Sequence, residues 1–324
     1  MRILCVILVS LLMMSLPSYA STAQKDTVTV ITQWLPQAQF AGIIMAYEKG
    51  FYEEAGIEAE IKYAQESVSS IDMLENGEAD IITSMLVDAL AARDLELPLV
   101  NILQTSCTNS CMFVSHTPLN DVHDLDGMRI ASWVGGFYET AMCFAYRNSL
   151  NVKWTPILSN IYPFSEGAVD AMVATEYNEY FQIMMAGIDI GEGNIIRLRD
   201  EGYDIPEDGI YTTEQYYSSH KDVVDRFVRA TVRGWEWVRN PDNLEETVDT
   251  ITGIMRRMNI PASKVNQKYM LKTVLRLQED STGHVPYRLD PSRFDFTVRM
   301  LRESNFILET IDYDDFVHTP DTDS

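Results

Sequence analysis

Strand and helix patterns alternate along the first third of this chain, and that order constrains its fold more than any other feature. Short apolar runs at residues 27–32 and 99–104 predict strands, and apolar positions at helical spacing predict a helix over 38–55. Strand patterns at 57–63 and 80–83, with short helices between them, complete a β-α-β-α-β order. Strands linked by crossover helices form a parallel sheet with helices on both faces. The sequence therefore predicts an α/β fold.

A second run of the same kind begins near residue 119 and predicts a second lobe. A strand over 128–133 is followed by a Gly-containing loop at 134–137 and by a helix that ends near residue 148. The later segments with strand or helix patterns are 156–158, 168–174, 177–186, 223–239, 244–258 and 262–277. Two βα units, each with an aromatic loop after its strand, suggest two lobes that face one cleft.

The loop after the first strand carries a Trp and several amides, and it is the strongest indication of a binding site. Ligands of open α/β sheets lie beyond the carboxyl ends of the strands, where Trp34, Gln37 and Gln39 are expected. An indole offers a flat apolar face, while a Gln side chain both donates and accepts hydrogen bonds. This combination suits a flat heterocycle with polar edges.

The corresponding loop of the second unit also has residues suited to a cleft. Gly135 and Gly136 follow a strand and precede a helix, which favours either an anion site at a helix N-terminus or a tight turn. The neighbouring Trp133, Phe137 and Glu139 favour a loop that lines the cleft, although Trp133 suits a core position at a strand end equally well. The sequence leaves these alternatives open.

Residues 1–20 have the features of a secretory signal peptide. Arg2 precedes an apolar run over 3–16, and residues 18–20 fit a small-x-small cleavage site. The apolar run is shorter than the about 20 residues that a membrane span needs. We therefore expect an exported protein that is located in the periplasm after cleavage of this segment.

The charge balance excludes two classes of partner. The chain has 25 basic and 48 acidic residues and a formal net charge of −23. Nucleic acid and anionic lipid surfaces are bound by basic surfaces. We therefore expect neither a nucleic-acid partner nor a membrane-surface partner.

Cys107, Cys111 and Cys143 are the cysteines outside the predicted signal peptide. Export makes a disulfide between the first two feasible, and buried free thiols are the preferred alternative. The cysteines and the nearby His116 and His123 do not form the paired spacings of a zinc site, so no metal site is expected.

The segment Gln33-Trp34-x-Pro36-Gln37-x-Gln39-Phe40-Ala41-Gly42 resembles the thiamine-pyrimidine-biosynthesis-like periplasmic binding proteins. These proteins are solute-binding components of ABC importers, in a group that also includes sulfonate and riboflavin binders. The further segments that match, in chain order, are Glu48-Lys49-Gly50-Phe51-Tyr52-x-x-x-Gly56-Ile57, Asn76-Gly77-Glu78-Ala79-Asp80, Asp124-Leu125-Asp126-Gly127-Met128-Arg129-Ile130, Tyr177-Asn178-Glu179 and Arg226-Phe227-Val228-Arg229-Ala230-Thr231-Val232-Arg233-Gly234-Trp235.

The resemblance implies a type II periplasmic binding protein fold, with two lobes that close on a small molecule by a hinge. Lobe 1 would contain residues 27–114 plus 211–316, lobe 2 would contain 115–210, and 317–324 would form a mobile acidic tail. The loaded protein would dock on an ABC permease in the inner membrane, and we expect it to be a monomer. Its ligand would be a thiamine-precursor pyrimidine, either hydroxymethyl- or formylamino-pyrimidine.

One branch of this family is a synthase that makes the thiamine pyrimidine by consuming its own His. That branch has a His where this chain has Phe40, and it has a cysteine-rich segment in its second half, whereas no cysteine follows Cys143 here. Lys49 matches a family Lys, and a position on a helix surface explains it more simply. We therefore expect a binding protein without a cofactor and not an enzyme.

The chemistry of a 4-aminopyrimidine selects the candidate site residues. A carboxylate accepts hydrogen bonds from the exocyclic amine and from a protonated ring nitrogen beside it, and such charge-assisted bonds are strong. Glu179 is preferred to Glu139 for this role because it lies in a matching family segment, although a helix first turn also favours a Glu. The ligand-binding candidates are Trp34, Gln37, Gln39, Phe40, Ser84, Asp88, Trp133, Gly135, Gly136, Phe137, Glu139, Tyr177, Asn178 and Glu179.

Trp34 and Trp133 would hold the ring between them, Gln37 and Gln39 would bond its edge, and Phe40 would form the floor or belong to the core. Other functions stay open at this point. The same machinery could bind riboflavin or a sulfonate-like anion, could report ligand occupancy to a membrane kinase, or could be a pyrimidine synthase. A sulfonate calls for Arg or a row of helix-start amides, and the candidate loops contain no Arg.

Overall fold

The computed structural model describes residues 25–64, 68–157 and 160–320. The strands in these ranges are β1 (Asp26–Thr32), β2 (Ile57–Tyr63), β3 (Ile81–Met85), β4 (Leu99–Gln104), β5 (Cys111–Ser115), β6 (Arg129–Trp133), β7 (Lys153–Ile157), β8 (Ala171–Thr175), β9 (Ile195–Arg197) and β10 (Asp208–Thr213). The α-helices are α1 (Ala41–Glu48), α2 (Phe51–Glu54), α3 (Ser70–Glu75), α4 (Leu86–Asp94), α5 (Gly136–Arg147), α6 (Tyr162–Ser165), α7 (Glu179–Met185), α8 (Glu214–Ser219), α9 (Lys221–Arg239), α10 (Leu244–Arg257), α11 (Lys264–Leu277), α12 (Pro291–Glu303) and α13 (Tyr313–Phe316). The predicted signal peptide lies outside the described residues.

The sheet of lobe 1 has five strands in the order β2-β1-β3-β10-β4. β1 pairs parallel with β2 and β3, whereas β10 runs antiparallel between β3 and β4. The chain leaves this sheet at the carboxyl end of β4 and returns at the same edge, so β10 must run in the opposite direction. The four predicted strands, β1 to β4, therefore run in one direction as expected, and the unpredicted β10 makes the sheet mixed.

The sheet of lobe 2 has the order β7-β6-β8-β5-β9. β6 pairs parallel with β7 and β8, while β5 pairs antiparallel with β8 and β9. The predicted α/β architecture with two lobes is confirmed. The predicted lobe boundaries at 114 and 210 fall too late, because β5 belongs to the second sheet and β10 belongs to the first. An apolar strand pattern does not indicate which sheet the strand joins.

Two crossing segments, residues 105–110 and 198–207, connect the lobes. Side chains tie these segments to each other. The carboxylate of Glu207 accepts hydrogen bonds from the Ser110 amide at 2.8 Å and from its hydroxyl at 2.7 Å. The Glu207 amide in turn donates to the Ser106 hydroxyl at 2.7 Å. The two segments are thus bonded side by side.

A glycine interrupts the first predicted helix. Gly50 has a φ of 74°, in the left-handed region that only glycine adopts readily, and it separates α1 from α2. A single helix over 38–55 is therefore wrong. Gly56, with a φ of 76°, then turns the chain into β2.

Helices α1 and α9 pack unusually close to each other because both carry a glycine at the contact. A Cβ on Gly234 of α9 would lie against the carbonyl oxygen of Gly42 and 2.8 Å from the Cβ of Ala46. Gly42 in turn lies under the ring of the buried Trp235. A side chain at either glycine would force the helices apart.

The apolar core continues from one lobe into the other. A cluster that includes Ile82 of β3 and Phe113 of β5 also contains Phe294 of α12, so α12 packs on both lobes. The beginning of the predicted acidic tail is packed as well, since Val317 bridges to Asn101 of β4. The last four residues, 321–324, lie outside the described ranges.

Candidate functional site

The two predicted aromatic loops meet between the lobes. Trp34 follows β1, and Trp133 is the last residue of β6. Their ring centroids lie 5.7 Å apart, and the ring planes are inclined by 87°, an edge-to-face contact. Both side chains are partly exposed. A ligand ring held between the two indoles requires them to separate and turn parallel, so the sandwich stays a prediction.

A partly buried acid organises the glutamines around Trp34. The Nε2 group of Gln33 donates to Asp208 at 2.7 Å, and that of Gln39 donates to both oxygens of the same carboxylate at 2.9 Å. The Nε2 group of Gln37 donates to Oε1 of Gln39 at 2.6 Å. Burial raises the pKa of Asp208 to about 6, while the two amide hydrogen bonds lower it. We call these four residues the Asp208 cluster.

A second acid connects the lobes at the start of α5. Gly135 has a φ of 91°, and the amide of the following Gly136 donates to Oδ2 of Asp88 on α4 at 3.2 Å. Burial and then the nearby Glu139 carboxylate raise the pKa of Asp88 to about 7, against the Gly136 hydrogen bond, which lowers it. Burial also raises the pKa of Glu139. Lobe 2 therefore places a helix N-terminus over an acid of lobe 1.

The segment Tyr177-Asn178-Glu179 lies at the start of α7, as predicted. Glu179 is 3% exposed, and its carboxylate accepts from the amide of Thr175 at 2.9 Å and from Asn178 Nδ2 at 2.7 Å. Burial raises the pKa of Glu179, and these hydrogen bonds lower it. The ring of Tyr177 packs in the apolar core of lobe 1. Glu179 is thus largely engaged within its own lobe, whereas Tyr177 bridges to the other.

A further contact between the lobes involves α11. Glu176 accepts from Arg199 of lobe 2 at 2.8 Å and from Arg276 of α11 at 2.5 Å. The rings of Phe181 and Tyr269 stack beside it, with centroids 4.1 Å apart. Together with the Trp34–Trp133 contact, this arrangement keeps the lobes closed against each other.

Three buried polar atoms, on the residue after β1, at the end of β6 and on α5, have no hydrogen-bond partner within the described part of the chain. They are Oε1 of Gln33, Nε1 of Trp133 and Oε2 of Glu139. Unpaired buried polar groups are costly, so such atoms indicate a missing partner. Two of them accept hydrogen bonds and one donates. A molecule that donates at two positions and accepts at a third would satisfy all three.

The other candidates take more ordinary positions. Phe40 belongs to the core of lobe 1 and also borders a small internal space behind Asp208. Ser84 is buried in β3, opposite Gly209 of β10. Phe137 packs on the cluster shared by both lobes. These residues support the cleft more than they line it.

The sequence analysis missed Asp208, and it noted Gln33 only as part of a matching segment. Asp208 starts β10, a strand that the sequence did not predict, and its partners lie more than a hundred residues away in the chain. A signal was present in Glu207 and Asp208, two adjacent acids directly before an apolar run. It gave no indication of which residues these acids would meet.

Cys107, Cys111 and Cys143 are free thiols, and the last two are buried. Within the described ranges, no group of three or more His, Cys, Asp or Glu residues is placed to hold a metal ion. In the same part of the chain, none of the helices combines the length and apolar character that a membrane crossing requires.

The fold has two mixed β-sheets flanked by helices, with paired crossing segments between them and a polar and aromatic cleft. This arrangement defines the class of two-lobed solute-binding proteins. The chain belongs to the family described as NMT1/THI5 like, whose profile matches residues 37–244. The predicted family resemblance is therefore confirmed.

Two relatives and one solved structure that are similar to this chain are named as binding proteins. The chain is 25% identical over 277 residues to the formylaminopyrimidine-binding protein of Halalkalibacterium halodurans, which covers 80% of this chain and 79% of that protein. It is 25% identical over 242 residues to the riboflavin-binding protein RibY of Chloroflexus aurantiacus, covering 70% and 66%. The structure of the periplasmic aliphatic sulphonate binding protein SsuA of Escherichia coli superposes with a TM-score of 0.65 at 13% identity, covering 91% and 93%. Their names agree with the expectation of a binding protein.

Proposed function

We propose that this protein is the solute-binding component of an ABC importer and that it captures a thiamine-precursor pyrimidine, hydroxymethyl- or formylamino-pyrimidine. The observation that carries the proposal is the set of unpartnered atoms of Gln33, Trp133 and Glu139, on the two loops that bring Trp34 and Trp133 together and on the helix after the second loop. A 4-aminopyrimidine has two N–H donors on its exocyclic amine and acceptors in its ring, and its flat face suits an indole. The relative that binds formylaminopyrimidine supports the same ligand class.

The charge of the cleft argues against an anionic ligand. Asp88, Glu139 and Asp208 lie at the lobe contact, and the candidate residues include no Arg or Lys. A sulfonate placed there would face acids without a compensating cation, and burial of an unpaired charge is expensive. An amine or a protonated ring nitrogen would instead be stabilised by these carboxylates.

Riboflavin is the second candidate, because a relative of this chain binds it. Its flavin ring is larger than a pyrimidine and has two carbonyl groups around one N–H on its polar edge. The unpartnered Gln33 and Glu139 oxygens call for donors, so they fit the aminopyrimidine better.

Calorimetric titration of the ligand-stripped mature chain tests the proposal. The panel is hydroxymethylpyrimidine, formylaminopyrimidine, thiamine, riboflavin and taurine. We expect at least one pyrimidine to bind at least about tenfold more tightly than the other compounds, a difference of about 1.4 kcal/mol. If riboflavin binds most tightly, the importer role stands and the pyrimidine ligand is wrong. If taurine binds most tightly, the argument from the charge of the cleft is wrong.

The partner and location follow from the same proposal. A solute-binding component docks on an inner-membrane permease, acts in the periplasm as a monomer, and loses residues 1–20 on export. Mass spectrometry of the periplasmic fraction would give a chain that begins at Ser21 if this is correct. A chain that retains Met1 in the cytoplasmic fraction would contradict it.

A further inference from the structure

We infer that Asp208 is a positioning residue that makes the cleft select ligands with an N–H donor edge over ligands with a carbonyl at the same place. The inference rests on the proposed function, because it concerns the same cleft and names the edge chemistry of its ligand. It assigns a role to an acid whose carboxylate accepts hydrogen bonds from glutamines that precede and follow Trp34 in the chain.

The first step is the direction of the amide hydrogen bonds. An ionised carboxylate only accepts hydrogen bonds, so each Gln that contacts Asp208 must turn its NH2 group toward it. Gln33 and Gln39 both do so, at 2.7 Å and 2.9 Å. The carbonyl oxygen of each Gln is therefore forced to point away from the acid.

The carbonyl oxygens of Gln33 and Gln39 differ in their hydrogen-bond partners. Oε1 of Gln39 accepts from Nε2 of Gln37, which leaves Gln37 with its own carbonyl oxygen as the end of that branch. Oε1 of Gln33 is buried and has no partner. One carboxylate thus sets the direction of two branches, and both branches end in acceptors on either side of Trp34.

The third step is selectivity. A ligand amino group at this edge would donate to an acceptor that has no other partner. A carbonyl oxygen there would face a carbonyl oxygen. Gln33 could not turn without losing its hydrogen bond to Asp208, and Gln37 could not turn without losing its hydrogen bond to Gln39. A site that leaves a buried polar group unpaired typically discriminates by about 5- to 150-fold.

Protonation of Asp208 should relax this selection. A protonated carboxyl has an O–H donor, so a Gln could then turn its oxygen toward it. Burial raises the pKa of Asp208 to about 6. The titratable groups that face Asp208 are the carboxyl of Glu207 and the phenols of Tyr177 and Tyr211. The charge of Asp88 also raises the pKa of Tyr211. Burial raises the pKa of Glu207 to about 8, so this neighbour stays mostly protonated near pH 6.

The test compares 4-amino-5-hydroxymethyl-2-methylpyrimidine with its 4-oxo analogue, in which a carbonyl replaces the amino group and a ring nitrogen carries a hydrogen. The quantity measured is the ratio of their Kd values by calorimetry. For the wild-type chain at pH 7.5 we expect a preference of at least about tenfold for the amino compound, and we expect it to decrease below pH 6. Asp208→Asn can pair with a Gln in either orientation, so its ratio should lie within about threefold of one and should not change with pH.

Asp204→Asn is the matched control. Asp204 is an acid of the crossing segment that leads to Asp208. It accepts from the Asn109 amide at 2.9 Å, and its bonds do not involve the glutamines. Its ratio should equal that of the wild type. If Asp208→Asn does not fold, the pH dependence of the ratio decides, measured in the Asp88→Asn chain so that the other acid of the lobe contact does not titrate.

The outcomes separate the two proposals. Failure of the wild type to bind either pyrimidine overturns the proposed function and the inference with it. Binding of the amino compound with equal affinity for the oxo compound overturns the inference alone. Retention of the full preference in a folded Asp208→Asn chain, or a wild-type preference that is constant from pH 7.5 to 5, also overturns it.

Discussion

Replacement of Gly136 by Ala is expected to weaken ligand binding without weakening the fold. Gly136 is the first residue of α5 in lobe 2, and its neighbours across the cleft belong to lobe 1. A Cβ at this position would lie 2.8 Å from the Cβ of Met85 and 3.0 Å from Cγ2 of Val87. Carbon atoms pack at about 3.5–4.0 Å, so an added methyl group must push the lobes apart.

The size of the effect follows from this overlap. Overpacking a tight contact by one methyl group costs about 1–3 kcal/mol. Because the contact exists only between closed lobes, the cost falls on closure, and the apparent Kd should rise about 5- to 150-fold. The folding of each lobe is not affected, since Ala is the better helix residue and Gly136 does not have a positive φ. The assay is calorimetric titration of the tightest pyrimidine, with thermal unfolding of the ligand-free chain measured in parallel.

Gly253→Ala is the matched control for this prediction. Gly253 lies within α10, and its added Cβ would meet only Arg257, at 3.6 Å. That variant should keep its affinity and gain up to about 1 kcal/mol of stability from helix propensity. An affinity of Gly136→Ala within about twofold of the wild type would refute the reasoning. A loss of ligand-free stability would show instead that the open form has the same contact.

Three further predictions concern affinity, pH and packing. Trp34→Ala should weaken pyrimidine binding by more than about tenfold by calorimetry, and an unchanged Kd would remove Trp34 from the site. The pKa of Asp88 is raised from 3.8 to about 7 in the folded chain, so this acid holds its proton there and the free energy of unfolding should fall as pH rises between these values. At about 1.36 kcal/mol per pH unit the loss of stability is about 4 kcal/mol. In urea unfolding, Asp88→Asn should make the fall of the free energy of unfolding with pH less steep. An equally steep fall would contradict the raised pKa of Asp88. Gly234→Ala should destabilise the chain by about 3 kcal/mol or more in the same assay, because its Cβ would overlap Gly42 and Ala46; a stability equal to that of the wild type would show that α1 and α9 can separate freely.

Local pattern was sufficient to predict the elements whose partners are close in sequence. The predicted strands at 27–32, 57–63 and 99–104 match β1, β2 and β4 to within one residue. Their apolar alternation and the helices between them require a sheet, whatever the rest of the chain does. The break at Gly50 was harder to predict, because a glycine inside a helical pattern is often tolerated.

The site was predictable in the part that depends on loops after strands. Trp34 and Trp133 were both expected in the cleft, and the structure brings them into contact. Asp208 was not predictable, because its role depends on the insertion of β10 between two strands of the first lobe. The preference for Glu179 over Glu139 followed a family segment. The hydrogen bonds of Glu179 within its own lobe could only be known once Thr175 had been located.

The placement of β10 also determines the order in which the molecule can form. β4 is joined to the lobe 1 sheet only through β10, which is made after the whole of lobe 2. Lobe 2 is continuous in sequence and can collapse as soon as it is synthesised, whereas lobe 1 must wait for a strand more than a hundred residues later. Long-range pairing of this kind slows folding. The cleft therefore cannot form before residue 208 is made, and a chain that stops short of it would have no acid to orient the glutamines beside Trp34.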